Sequence, residues 1–139
     1  MFLLLSVMLV ASCKAQRIVK FTAGEFKYLL DIPGNYNVSE VVDDHGFREH
    51  RIVYPDSSII YITNDTRSGG ATNTVKAKKY GNGIYLKILS SDTLNISGKE
   101  DDEYWREQKI DDIVVGYMNV PLNKKDEYDM ALSTLRRRE

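Results

Sequence analysis

The amino-acid sequence predicts an α+β domain in which an antiparallel sheet of about six to eight short strands is covered by a C-terminal helix. Three observations carry this prediction. From Ile18 onward, short apolar runs alternate with turn-forming clusters at the interval typical of antiparallel sheets. After Pro121 the spacing of apolar residues changes from two to three and four. Finally, the only cysteine is Cys13, so no internal disulfide is possible and stability must come from core packing.

Each element follows from its residues. Phe26 to Ile32 is a first strand, ended by Pro33-Gly34-Asn35, and Ile18 to Phe21 adds a short one before it. Tyr36 to Val42 is rich in strand formers and is expected to return against Phe26 to Ile32. Asp43-Asp44-His45-Gly46 is a turn, Phe47 to Tyr54 the next strand, and Pro55-Asp56-Ser57 another turn. Ser58 to Thr63 contains Ile59-Ile60-Tyr61-Ile62, the most hydrophobic run after Cys13, and is predicted to be central.

Asn64 to Thr74 is polar, aperiodic and carries Gly69-Gly70, which predicts an exposed loop. Val75 to Tyr80 suits a lysine-bearing edge, and Asn82-Gly83 turns into strands over Ile84 to Leu89 and Thr93 to Ser97. An acidic turn at Glu100-Asp101-Asp102 leads to Tyr104 to Ile110, whose Trp105, Glu107 and Lys109 share one face. Asp111-Asp112 turns into an interior strand, Ile113 to Val120, where Gly116 marks a bulge or a close approach. Pro121 stops it. Asn123 with Asp126 resembles a capping box, and Tyr128, Ala131, Leu132 and Leu135 form the apolar face of the helix. Arg136-Arg137-Arg138 would end that helix, favourably for its dipole.

Composition narrows the function classes. The 139 residues carry 19 basic and 20 acidic side chains, so no long-range field gathers nucleic acid. Phe2 to Ala11 is almost wholly apolar, too short for a permanent membrane span and about right for an export signal, although nothing basic precedes it. The residues Val10-Ala11-Ser12-Cys13 resemble the box of bacterial lipoproteins: an aliphatic residue, two small ones, and the cysteine that is lipidated. That resemblance implies a signal peptide over 1–12, lipid attachment at Cys13, a short tether over 13–19, and a single domain over 20–139. Lys14 stands where an aspartate would resemble an inner-membrane retention signal, so the likeness implies an outer-membrane anchor facing the periplasm. Cleavage after Ala15, giving a soluble periplasmic or secreted protein, is the alternative.

The layout of Asp31-Ile-Pro-Gly-Asn35, Tyr54-Pro55-Asp56 and Gly116-Tyr-Met-Asn-Val-Pro121 resembles PsbP/Mog1-like domains and lipoproteins of Bacteroidetes-like bacteria. Members of that kind serve mainly as accessory or interaction domains, which implies binding before chemistry.

No residue set predicts a catalytic, cofactor or metal site. His45 and His50, with Asp43 and Asp44, make a poor ligand set, because five extended residues separate the two rings by about 15 Å. Glu100 to Glu103 and Asp111-Asp112 lack the alternating spacing of a calcium loop. Glu49 and Glu107 could form a carboxylate pair only if the fold joined them. Trp105 is expected in the core, and Asn37, Asn64 and Asn95 begin acceptor sequons without meaning in a bacterial envelope. What remains is a surface: Arg67, Ser68, Gly69 and Gly70 on the polar loop are the expected partner surface, and an envelope protein is the expected partner. A small hydrolase using carboxylates and His50, or a carrier of a small apolar ligand, are the alternatives.

Replacing Cys13 by serine is expected to release the protein from the membrane fraction and abolish labelling with palmitate. Unchanged retention, with no label in the unaltered chain, would rule lipid attachment out.

Overall fold

The computed structural model describes residues 16–42, 46–64 and 93–139, and shows an α+β fold of two antiparallel sheets and a C-terminal helix. The strands are β1 (Gln16–Ala23), β2 (Phe26–Pro33), β3 (Asn37–Val42), β4 (Arg48–Val53), β5 (Ile59–Thr63), β6 (Thr93–Glu100), β7 (Glu103–Ile110), β8 (Ile113–Pro121) and β9 (Arg136–Arg138). Helix α1 spans Lys125–Ser133. A small sheet has the order β1-β2-β9 and a large one the order β3-β4-β5-β8-β7-β6. The large sheet is two three-strand meanders joined by the β5–β8 ladder.

Several elements lie where the sequence places them. β5 is interior, β8 is buried along Ile113 to Tyr117, and the turns at Asp101 and Asp111 adopt positive φ, which aspartate tolerates. The β1–β2 hairpin closes over Gly24-Glu25 with Gly24 at φ +58, a value a two-residue turn needs and glycine takes freely. β1 is longer than the four residues expected: it begins at Gln16 and takes in Gln16 to Val19, which the sequence allots to the tether. Its inward residues Val19, Phe21 and Ala23 alternate with exposed ones, and this pairing with the apolar β2 is what orders it.

Three expectations are corrected. β3 does not return against β2; it pairs with β4 in the other sheet, because the free edge of β2 is taken by β9. Asn123 is not the N-cap of the helix: a 3₁₀ turn over Leu122–Lys124 places it inside wound backbone, and the N-cap residue is Lys124, which makes no side-chain cap bond. The arginines do not extend the helix. Thr134 ends it by bonding the Ala131 carbonyl and accepting the Asp31 N–H at 2.8 Å, and Arg136 to Arg138 then run along β2. Their partners hold them there: Arg136 meets Asp31 at 3.0 Å, and Arg137 lies over the Phe26 ring and reaches Asp111. The strands expected at Val75 to Tyr80 and Ile84 to Leu89 lie outside the described residues.

One core joins every layer. Val19 and Phe21 of β1 and Tyr28, Leu30 and Ile32 of β2 face Ile52, Ile60, Ile62, Val115 and Tyr117 of the large sheet. Tyr128, Ala131 and Leu132 add the helix, which rests on β2 and β8. The small sheet and the helix thus share one face of the large sheet.

The registers sort the connections into two ends. Gln16 pairs with Pro33, and the Tyr54 hydroxyl donates to the Pro33 carbonyl at 3.0 Å. That end also holds Pro55 to Ser57, Asp101-Asp102 and Leu122 to Lys124. At the other end lie Gly24-Glu25, Asp111-Asp112, Asn64 and Thr93, since Thr63 pairs with Val114 and Thr93 with Ile110.

Leu132→Ala should destabilise the domain by about 2–4 kcal/mol in urea unfolding, since it removes a fully buried side chain from the helix–sheet contact. Met130→Ala, on the exposed face of the same helix, should stay within about 0.5 kcal/mol. Equal small losses would show that the helix does not cover the core.

Candidate functional site

One recess lies at the Gln16 end, where three turns meet. Pro33 to Asn35, Tyr54 to Asp56, and Lys124, Glu127 and Tyr128 of the helix start line a cleft of about 430 Å³. Local geometry explains its wall. The Ser57 N–H bonds the Tyr54 carbonyl, the Tyr54 N–H bonds the Ser58 carbonyl, and Ser57 sits at φ +69. This is a three-residue hairpin loop with Pro55 first and a left-handed residue last.

Beneath the loop runs a polar chain. The Tyr128 hydroxyl donates to Ser58 Oγ at 2.5 Å, and Ser58 Oγ donates to Asp56 Oδ1 at 2.5 Å. The Ser58 N–H adds a bond to the same carboxylate oxygen, and Lys124 Nζ lies 2.5 Å from Oδ2. Burial alone pushes the Asp56 carboxyl up, but the hydrogen bonds from Lys124 and Ser58 outweigh it and hold the pKa at about 2. Burial pushes the Tyr128 hydroxyl up to about 12, and raises Tyr54 as well. At neutral pH the cleft therefore presents a fixed carboxylate–ammonium pair and neutral hydroxyls. Groups with pKa values so far from 7 are poor proton-transfer catalysts, and the arrangement suits holding a ligand or a loop.

A second polar group lies on the opposite face of the large sheet. Tyr61 of β5 donates to Glu107 of β7, both fully buried, across Gly116 of β8. A side chain at 116 would overlap the Tyr61 hydroxyl and come within 2.5 Å of the Arg106 carbonyl oxygen, so the glycine is the opening that lets these groups meet. Thr63 and Lys109 are buried on the same face. Sequence reasoning foresaw the close approach at Gly116 but not its occupants.

The other residues singled out by sequence are placed as follows. Cys13, Asp43, Asp44, His45 and the residues expected to form a partner surface, Arg67, Ser68, Gly69 and Gly70, lie outside the described residues. His50 is half-buried, with its ring 3.3 Å from the Glu40 carboxylate and edge-on to Phe21. Glu49 is bound to Arg51, and it stands three strands from Glu107, roughly 14 Å across the sheet, so the two carboxylates are no pair. Among the described residues no three His, Cys, Asp or Glu side chains gather as metal ligands. Trp105 is buried as expected, but it alternates with Glu107 and Lys109, away from the main core. The space between helix and sheet, where an apolar ligand would sit, holds Tyr117, Tyr128 and Leu132. Among the described residues no helix is long and apolar enough to cross a membrane.

No family model, no curated protein and no solved structure matches this chain.

The Asp56 pKa sets a pH dependence. A carboxyl held below its ordinary value stabilises the fold above about pH 4, and that contribution disappears as pH falls through about 2. With 30 % of its side chain still exposed, solvent screening reduces the effect to about 1–2 kcal/mol. The stability difference between the unaltered chain and Asp56→Asn in urea should therefore be present at neutral pH and vanish near pH 2. A pH-independent difference would mean that the carboxylate charge has no part in it.

Proposed function

We propose that this protein is a lipid-anchored component of the cell envelope with a binding or structural role, held by Cys13 in the outer membrane and facing the periplasm. The observation supporting this most is the placement of two chain positions at opposite ends of strands that share one core. Gln16, three residues after Cys13, opens β1 at one end. Asn64 and Thr93, which flank the segment containing Arg67, Ser68, Gly69 and Gly70, stand at the other. An eight- or nine-residue strand spans roughly 25–30 Å, so a chain fixed at Gln16 presents the Asn64 end well clear of its attachment.

The chemistry of the cleft agrees with such a role, because Asp56 is paired with Lys124 and the Tyr128 hydroxyl is neutral. The likeness to accessory and interaction domains points the same way. The partner is an envelope protein that recognises the polar segment, with no nucleic acid and no cofactor involved.

The test is capture of partners from detergent-solubilised membranes. The unaltered protein should bring down one envelope protein in stoichiometric amount. Deleting Ser68-Gly69-Gly70 should reduce that capture severely, while the urea midpoint stays unchanged, because loop closure depends only weakly on length. Equal capture by both forms, or none by either, would overturn the binding role assigned to this segment.

A further inference from the structure

We propose that the Gln16 end of the domain is a membrane-seating surface, on which Leu122 and Met130, with Ile18 beside them, rest against the phospholipid headgroup layer. The proposal rests on the anchored reading above and adds an orientation to it.

Chain length supplies the first argument. Cys13 and Gln16 are three peptide steps apart, roughly 10 Å when fully extended. An interfacial layer of about 5–7 Å on each side of the hydrocarbon consumes much of that reach. The tether therefore keeps Gln16 within reach of the headgroups, and the side chains around it decide whether that surface rests on them.

The second argument is what that surface carries. Among the described residues, six large apolar side chains are exposed, and three of them are Val38, Val41 and Val42 of β3. The other three are Leu122 (68 % exposed), Met130 (62 %) and Ile18 (56 %). Met130 lines one recess with Gln16 and Asn123, and Leu122 lines the next recess with Asn123. Ile18 lies two residues into β1, opposite Asp31 of the first recess. None of the three contributes to the core, so the fold gives no reason for their apolarity, and a lipid interface does.

Charge is not the main attraction. Lys124 and Lys125 stand close by, but their ammonium groups are paired with Asp56 and Asp129, each at 2.5 Å. Seating should thus depend little on anionic lipid. In this pose the Tyr54–Tyr128 cleft opens beside the bilayer, while Asn64 and Thr93 point away from it.

The first described strand begins at Gln16, so the chain from Cys13 onward carries all of the described residues. Because Cys13 is its only cysteine, that chain can be coupled through the thiol to a maleimide lipid on phosphatidylethanolamine vesicles containing a gadolinium-chelate headgroup lipid. Amide resonances of Leu122, Asn123 and Met130 should broaden several-fold more than those of Thr63, Thr93 and Asp111. With both Leu122→Ser and Met130→Ser, exposed changes that leave the urea midpoint unaltered, that contrast should collapse. Even broadening over the domain, strongest broadening at Thr63 and Thr93, or an unchanged contrast in the double variant would each overturn the proposal, the first two also being what a protein-docking surface would give. The chemical tether supplies the anchor whether or not cells lipidate Cys13, so the palmitate labelling of Cys13→Ser tests the anchored reading separately.

Discussion

The structure depends on the ladder between β5 and β8. Among the described residues it is the pairing that joins the two meanders, and it sets Ile60 and Ile62 beside Val115 and Tyr117 as the floor of the core. Both faces of this junction are buried, which raises the cost of any slip: moving the register by one residue would exchange Ile60 and Ile62 for Tyr61 and Thr63. Gly116 pins the register from the other side. Only opposite Tyr61 does its missing side chain leave room for the Tyr61–Glu107 bond, and an unmet buried carboxylate would be costly.

Tyrosines carry that order from the large sheet to the helix and on toward the small sheet. Tyr117, Tyr128, Tyr54 and Tyr36 meet edge to face in sequence, with ring centroids 5.8, 5.3 and 6.0 Å apart. Three of them also place a hydroxyl: Tyr117 on Asp129, Tyr128 on Ser58, and Tyr54 on the Pro33 carbonyl. Asp129 gathers Arg106 and Lys125 as well, which fastens α1 to β7. In a chain whose single cysteine allows no internal disulfide, pairs each worth about 0.5–1.5 kcal/mol beyond burial supply cross-links between the layers. The positions are shared with the candidate site, so the cleft between Tyr54 and Tyr128 is a by-product of how the layers are joined.

Much of the fold was legible because alternation is a local signal. The boundaries of β2, β4, β5, β7 and β8 follow from apolar periodicity and from Pro, Gly and Asp at the turns, and Tyr128, Ala131 and Leu132 follow from helical spacing. Sheet membership was not legible. The departure of β3 from β2 is decided by competition with Arg136 to Arg138, more than a hundred residues away in sequence, and nothing local to Tyr36 to Val42 encodes it. The arginine run misled for a related reason: helix-dipole logic is local, whereas Asp31, Phe26 and Asp111, which hold the arginines, are brought together only by the fold. Of the site, the turn at Pro55-Asp56-Ser57 and the close approach at Gly116 could be read. The joining of Asp56 to Lys124, and of Tyr61 to Glu107, could not, since each pair spans distant elements.

The pairing of β9 with β2 has a consequence for how the molecule is assembled. One edge of β2 waits for Arg136 to Arg138, and the helix that covers the core directly precedes them. A ribosome releases Lys125 to Arg138 after every strand of the two meanders, so the meanders can form first while the apolar inner faces of β1 and β2 remain open. Closure by so distant a contact is slow relative to local hairpins. A growing chain therefore passes through a stage in which the sheets are paired but their shared apolar face has no lid.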